Sequence, residues 1–242
     1  SATESSVHIA PNDVHEHLKG HILVDGYPLV MDLEKSHGAF LYDSLRGREL
    51  LDLFTCFSTC PLGYNHPALE TPEFQQRILP TALNKPSNSD LYTTQMAEFV
   101  DTFARTVPTS LNQRMFFISG GALAVENTLK AAFDWKVRKN LGRLKKTPSA
   151  DVGLLHGLGS KVIHIKEAFH GPSGYTLSLT NTSDPRKHMY FPKFDWPRIV
   201  NPKLSFPTTD QITEQVKKIE ELALQQIEMA VKQYPGDIAA LI

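Results

Sequence analysis

Met115-Phe116-Phe117-Ile118-Ser119-Gly120-Gly121-Ala122-Leu123-Ala124-Val125-Glu126-Asn127 runs from an apolar stretch through a two-glycine turn into an amphipathic segment. Met115 to Ile118 reads as a compact strand. Ala122 to Lys139 reads as a helix, because Val125, Leu129, Ala132 and Phe133 recur at helical spacing. The glycines permit a tight turn and let backbone N–H groups come close to a ligand. At a helix start those N–H groups lack intrahelical partners and the macrodipole is positive, so the turn can seat an anion such as phosphate. It is not a P-loop, since no Gly-Lys-Ser/Thr follows, and not a dinucleotide fingerprint, since the third glycine is absent. A plain strand-to-helix turn has the same pattern, and this motif alone leaves both readings open.

Working outward, Lys161 to Ile165 reads as another strand, followed by Ala168-Phe169-His170-Gly171. That order puts an aromatic ring and an imidazole at a strand's carboxyl end, the ligand edge of open α/β sheets. A core phenylalanine beside a hydrogen-bonded histidine is the structural alternative. Thr176 to Leu179 reads as a strand, and the prolines at 192, 197, 202 and 207 make Phe191 to Pro207 a long loop that lines something. Thr208 and Gln211 form a capping box ahead of a helix striped by Ile212, Val216, Ile219, Leu222, Ile227 and Val231, and Asp237 to Ile242 begins a strand. An α/β domain ending in a strand reads as unfinished, because its sheet needs cover.

Upstream the rhythm differs. A short helix follows Asn12, and a meander runs through Leu29, Met31 and Leu33, Ala39 to Asp43, and Glu49 to Phe54, with turns at Gly38 and Gly47. Gly63-Tyr64-Asn65-His66-Pro67 breaks this pattern, and Ala97 to Phe103 is helical. The expected architecture is α/β, a mostly parallel sheet with helices, divided into residues 1–65 (helix and β-meander) and 66–242 (the first part of a larger α/β domain).

The 242 residues can bury a core, and 41% hydrophobic with 21% charged residues is ordinary for a globular chain. A net charge of −1 gives no general attraction to nucleic acid or anionic membrane, so neither is expected as a partner and any phosphate must be caught locally. No apolar run approaches the roughly 18 residues of a membrane span, and Ser1 to Ser6 lacks a secretory pattern, so a cytosolic protein is expected. Cys56 and Cys60, the only cysteines, are a poor zinc set and read as free thiols; no metal is expected.

The stretch from Phe116 to Asn127, taken with Ala168 to Gly171, resembles the class III aminotransferases of fold type I. Residues 82–90, Lys130 to Lys136, Gly174 to Asn181 and Phe191 to Pro197 extend the likeness, which runs from about His15 to the last residue. The resemblance implies pyridoxal 5'-phosphate as cofactor. It also implies a ping-pong transfer of the ε-amino group of L-lysine to 2-oxoglutarate, giving 2-aminoadipate 6-semialdehyde and glutamate. Gly121 and Ala122 would then offer backbone N–H groups to the cofactor phosphate, Phe169 would stack on the pyridine ring with His170 beside it, and Phe57 would line the substrate pocket or simply pack. Small amino acid and 2-oxo acid substrates and a homodimer, with the first 90 positions facing the partner, are implied as well. The alternative amino donor is 4-aminobutyrate, since the related transaminase shares the Phe-Asp-Trp-Pro loop. Outside that class, the alternatives are a non-catalytic phosphate-ligand-binding fragment and an inert interaction fragment.

Two departures matter. The family commonly has arginine after Phe-His-Gly to hold a substrate carboxylate, and this chain has Pro172. Proline cannot replace a bidentate guanidinium, so Arg186, Arg198 or a residue elsewhere takes the role, or the substrate differs. The family's Schiff-base lysine, its pyridine-pairing aspartate and its glutamate and glutamine pocket residues are expected beyond Ile242. No catalytic residue lies in this chain, which is expected not to transaminate alone.

Overall fold

A computed structural model describes residues 8–86, 89–145 and 157–242. Ser1 to Ser6, Ser87 and Asn88 lie outside the described residues. The chain forms two compact units, Ser1–Gln113 and Arg114–Ile242.

In the first unit a 3-10 turn leads into helix α1 (Val14–Lys19), then strands β1 (Met31–His37), β2 (Phe40–Asp43) and β3 (Arg48–Leu51) form an antiparallel meander in that order. Asp43 anchors it: fully buried, its carboxylate accepts from Val30 N and Leu45 N and from the Arg46 guanidinium. The third strand stops at Leu51 rather than at the expected Phe54. The Asp52 carboxylate captures Phe54 N at 2.7 Å and Thr55 N at 2.9 Å, and so turns the chain out of the ladder. The next element, α2 (Thr55–Ser58), is a single left-handed turn with φ of 52°, 47°, 55° and 66°. Helices α3 (Pro72–Leu83) and α4 (Thr94–Thr106) complete this unit. Each is capped by a threonine hydroxyl, Thr71 receiving Phe74 N and Thr93 receiving Met96 N.

The second unit contains α5 (Gly121–Arg143), β4 (Lys161–Ile165), α6 (Gly174–Leu179), β5 (Arg198–Ile199), α7 (Asp210–Gln233) and β6 (Ile238–Leu241). The sheet order is β5-β4-β6, all parallel, so β4 is central. Its alternation divides the core. Val162 joins Leu129, Leu179 and Trp196 on the α5/α6 face, whereas Ile163 joins Ile199, Ala223 and Ala230 on the α7 face. Asp237, at the entry to β6, accepts from Gly159 N, Ser160 N and Ser160 Oγ. The Asn140 amide donates to Leu158 O and Gly236 O. Both side chains fasten the amino-terminal edge of the sheet. Among the described residues no helix is long and apolar enough to cross a membrane, and Cys56 and Cys60 are free thiols.

Besides the end of β3, four expectations need correction. Met115 to Ile118 joins no ladder, and Phe116, Phe117 and Ile118 are exposed; apolar character proposes a strand, but only a paired neighbour makes one. Thr176 to Leu179 lies in helix α6, because its amino end receives an acid from α5. The proline-rich loop contains the two-residue strand β5, pinned where His164 N donates to Pro197 O and Lys166 N to Ile199 O. The helix cap is Thr209 rather than Thr208: its hydroxyl accepts from Ile212 N at 3.2 Å.

Candidate functional site

Helix α5 opens without a side-chain cap. Gly120 precedes it at φ +90°, and the first helix-closing bond runs from Ala124 N to Gly120 O at 3.1 Å. The amides of residues 121–123 therefore lie outside the ladder, at the positive end of a 23-residue helix. A Cβ built on Gly120 or Gly121 meets nothing within 4 Å, so the two glycines border open space.

The Phe-His-Gly turn lies directly against this helix start. A Cβ on Gly171 would fall 2.5 Å from Ala122 Cβ and 3.0 Å from Ala122 Cα. Four backbone anchors hold the turn. Glu167 N donates to the Asn181 side chain and Asn181 N to Ala168 O, while His170 N and Gly171 N donate to Thr180 Oγ1 at 3.1 and 3.3 Å. Between these anchors the Phe169 ring is 60% exposed, a free platform for a flat partner.

Sequence reasoning missed the groups that hold the two turns together. The Glu126 carboxylate, on α5, accepts from Thr176 N at 3.0 Å and from Ser173 Oγ at 3.4 Å. It thereby caps α6 from fifty residues away. The Thr176 hydroxyl donates to Ser173 O at 2.7 Å, and Thr180 Oγ1 lies 2.9 Å from both Gly171 O and Thr176 O, between which its single proton is shared. The Ser173-x-x-Thr176 spacing was the available signal for a helix start.

Two imidazoles lie here, His170 in the turn itself and His164 on β4. Among the described residues His164 Nδ1 and His170 Nε2 are buried without a hydrogen-bond partner. Burial pushes the His164 imidazole down to about 4, with the Arg198 and His170 charges acting the same way, and burial also lowers His170. His164 is therefore neutral at pH 7 in the fold. As pH falls from 6.5 toward 4, the unfolded chain takes up a proton that the folded one refuses. The stability present above pH 6.5 is thus lost across that window, by up to about 3 kcal/mol. Urea melts followed by Trp135 and Trp196 fluorescence should show this acid limb, and His164→Asn should flatten it; an unchanged limb excludes His164 as its source.

The two arginines differ. Arg186 is forked onto Asp184, with Nε–Oδ1 and Nη2–Oδ2 both 2.9 Å, which holds the Asp184 carboxyl down at about 2. Arg198 pairs in register with His164 on the α5/α6 side of the sheet, and burial lowers the affinity of its guanidinium for its proton. The structure thus brings Gly121, Ala122, Phe169 and His170 together in the second unit. Phe57 lies in the first unit, on the left-handed turn, edge-to-face with Phe54 at 4.6 Å and 84% exposed. Asp52 and Tyr64 hold that turn: Tyr64 Oη donates to Asp52 Oδ2 at 2.6 Å, which raises the phenol well above its ordinary range and lowers Asp52.

Residues 23–242 match the family model described as aminotransferase class-III. The chain belongs to the class III aminotransferase family. A curated relative, L-lysine-epsilon aminotransferase of Mycobacterium tuberculosis, is 47% identical over 233 residues, 96% of this chain and 49% of the relative. The solved lysine aminotransferase from M. tuberculosis superposes with a TM-score of 0.82 at 46% identity, covering 96% of this chain and 51% of that one. A 4-aminobutyrate aminotransferase of Dictyostelium discoideum is more distant, 29% identical over 217 residues, 87% of this chain and 43% of the relative. This class III aminotransferase chain spans about half the length of the curated relatives it matches, and its fold is that of fold type I transaminases.

Proposed function

We propose that this chain is the cofactor-phosphate part of a pyridoxal 5'-phosphate enzyme that transfers the ε-amino group of L-lysine to 2-oxoglutarate, giving 2-aminoadipate 6-semialdehyde and glutamate. The observation that carries this reading is the abutment of Ala122 on Gly171, which sets an uncapped 23-residue helix beside an exposed aromatic ring. The residues fit the cofactor. Open space borders Gly120 and Gly121, the Gly121 and Ala122 amides lie outside the helix ladder and would donate to a phosphate, Phe169 offers a stacking face, and His170 Nε2 is buried without a partner. When bound, the cofactor withdraws electrons from the carbon that bears the amino group. This chain's part is to seat the phosphate and hold the ring plane.

The relatives favour lysine over 4-aminobutyrate as amino donor, at 47% against 29% identity. With Pro172 in place and Arg186 occupied by Asp184, Arg198 is the remaining arginine of the three positions considered for a substrate carboxylate. Phe57 is assigned to the substrate pocket, presented by its left-handed turn. Residues 1–65 are assigned as an N-terminal segment and 66–242 as the first part of the large cofactor-binding domain, on the change in sequence rhythm. A cytoplasmic homodimer is assigned to the whole enzyme. The 242-residue chain alone should bind the cofactor without turning over.

The test pairs two assays. The whole enzyme should produce glutamate from L-lysine and 2-oxoglutarate at least about tenfold faster than from 4-aminobutyrate. The 242-residue chain should perturb the pyridoxal 5'-phosphate spectrum yet give no glutamate. Preference for 4-aminobutyrate overturns the donor, turnover by the chain overturns its dependence on further residues, and an unperturbed spectrum overturns the cofactor seat.

A further inference from the structure

A phosphate and the ring attached to it form one rigid ligand, so the helix start that seats the first and the platform that receives the second must keep a fixed separation. The contacts around the site form a closed circuit that does this. Glu126 on α5 takes Thr176 N at the start of α6 at 3.0 Å. Residue Thr180, just past the carboxyl end of α6, takes His170 N and Gly171 N at 3.1 and 3.3 Å, and the one proton of the same hydroxyl is shared between Gly171 O and Thr176 O. Gly171 then returns to α5 by lying on Ala122. Thr176 and Thr180 are fully buried, so water cannot replace these bonds without opening the packing. Every link is a short side-chain or backbone contact, and the ring of Phe169 rides on the segment that the Thr180 hydroxyl fixes.

We propose that Thr180, with Glu126 closing the circuit from α5, is a positioning residue that holds the Phe169 platform at the distance from the α5 start that a phosphate-bearing aromatic ring requires. The inference rests on the proposed cofactor site, and it predicts that the contributions of ring and phosphate to binding separate on mutation. Losing the hydroxyl frees the turn but leaves the amides of residues 121–123 in place.

The experiment measures binding of inorganic phosphate and of pyridoxamine 5'-phosphate, which lacks an aldehyde to react with surface lysines, to the 242-residue chain. Thr180→Val should leave phosphate affinity within about twofold. It should weaken pyridoxamine 5'-phosphate by about tenfold, the scale of a lost stacking contact, and abolish the induced circular dichroism of the bound ring. Thr180→Ser should restore both. Glu126→Ala opens the circuit from the other side and should give the same selective loss, which keeps the inference decidable if Thr180→Val does not fold. If both variants keep the full advantage of the ring compound over phosphate, the positioning role is wrong while the site stands. If the unaltered chain binds neither ligand, or binds both equally, the site reading itself fails and the inference falls with it.

Discussion

Gly171→Ala should destabilise the second unit by about 3 kcal/mol and weaken its binding of pyridoxamine 5'-phosphate by about tenfold. Two penalties add. The backbone at φ +138° is one that L side chains rarely adopt, and the new Cβ would lie 2.5 Å from Ala122 Cβ, 2.7 Å from Thr176 Oγ1 and 3.0 Å from Ala122 Cα. Strain of the first kind costs roughly 1–3 kcal/mol and overpacking a similar amount. Neither neighbour can yield cheaply: Ala122 is part of the α5 backbone, and Thr176 is fully buried and bonded to Ser173 O. Relief requires the Phe-His-Gly turn to leave the helix start, which separates the two halves of the site. Urea denaturation read by tryptophan fluorescence checks the first effect and pyridoxamine 5'-phosphate titration the second. Gly121→Ala is the control, since its Cβ meets nothing within 4 Å and its φ is ordinary, so stability should be retained. A Gly171→Ala chain as stable as the parent would mean that the turns do not abut.

Asp237→Ala should cost about 3 kcal/mol, through a different mechanism. The side chain is 5% exposed and accepts from Gly159 N at 2.7 Å, Ser160 N at 2.6 Å and Ser160 Oγ at 3.0 Å. Alanine leaves two amides and a hydroxyl facing a cavity, and hydrogen bonds to a charged acceptor are each worth about 1.5–3 kcal/mol, partly recovered by water. Asp237→Asn should be milder, about 1 kcal/mol, because its carbonyl oxygen still receives both amides and the Ser160 hydroxyl can turn to accept from the new NH2 group. Equal losses in the two variants would show that charge, rather than hydrogen-bond geometry, holds this edge of the sheet.

The features legible along the chain were those that local chemistry dictates. The two-glycine turn, the α5 stripe, β4 and the aromatic turn after it came out at the right places because each depends on neighbours within a few residues. The place of the aromatic turn agrees with the rule that ligands bind beyond the carboxyl ends of parallel strands, rather than with any single motif. Met115 to Ile118 failed because its hydrogen-bonding partner, not its composition, decides whether it is a strand. Residues 176–179 failed because the local Ser173-x-x-Thr176 signal was passed over and the acid that completes the start of α6, Glu126, lies fifty residues away. The grip of Asp237 on Gly159 and Ser160 was equally hidden, since it spans 78 and 77 residues. The left-handed turn under Phe57 gave no warning either. Four consecutive non-glycine residues at positive φ run against local preference and persist through Asp52 and Tyr64.

Strand β4 lends alternate side chains to two separate apolar clusters. It is therefore the shared wall of both, and neither layer of helices can be stripped away while the other keeps its backing. A guest gripped at the head of α5 consequently braces α7 on the opposite side, and its binding energy is felt as resistance to melting by the whole unit instead of by one patch.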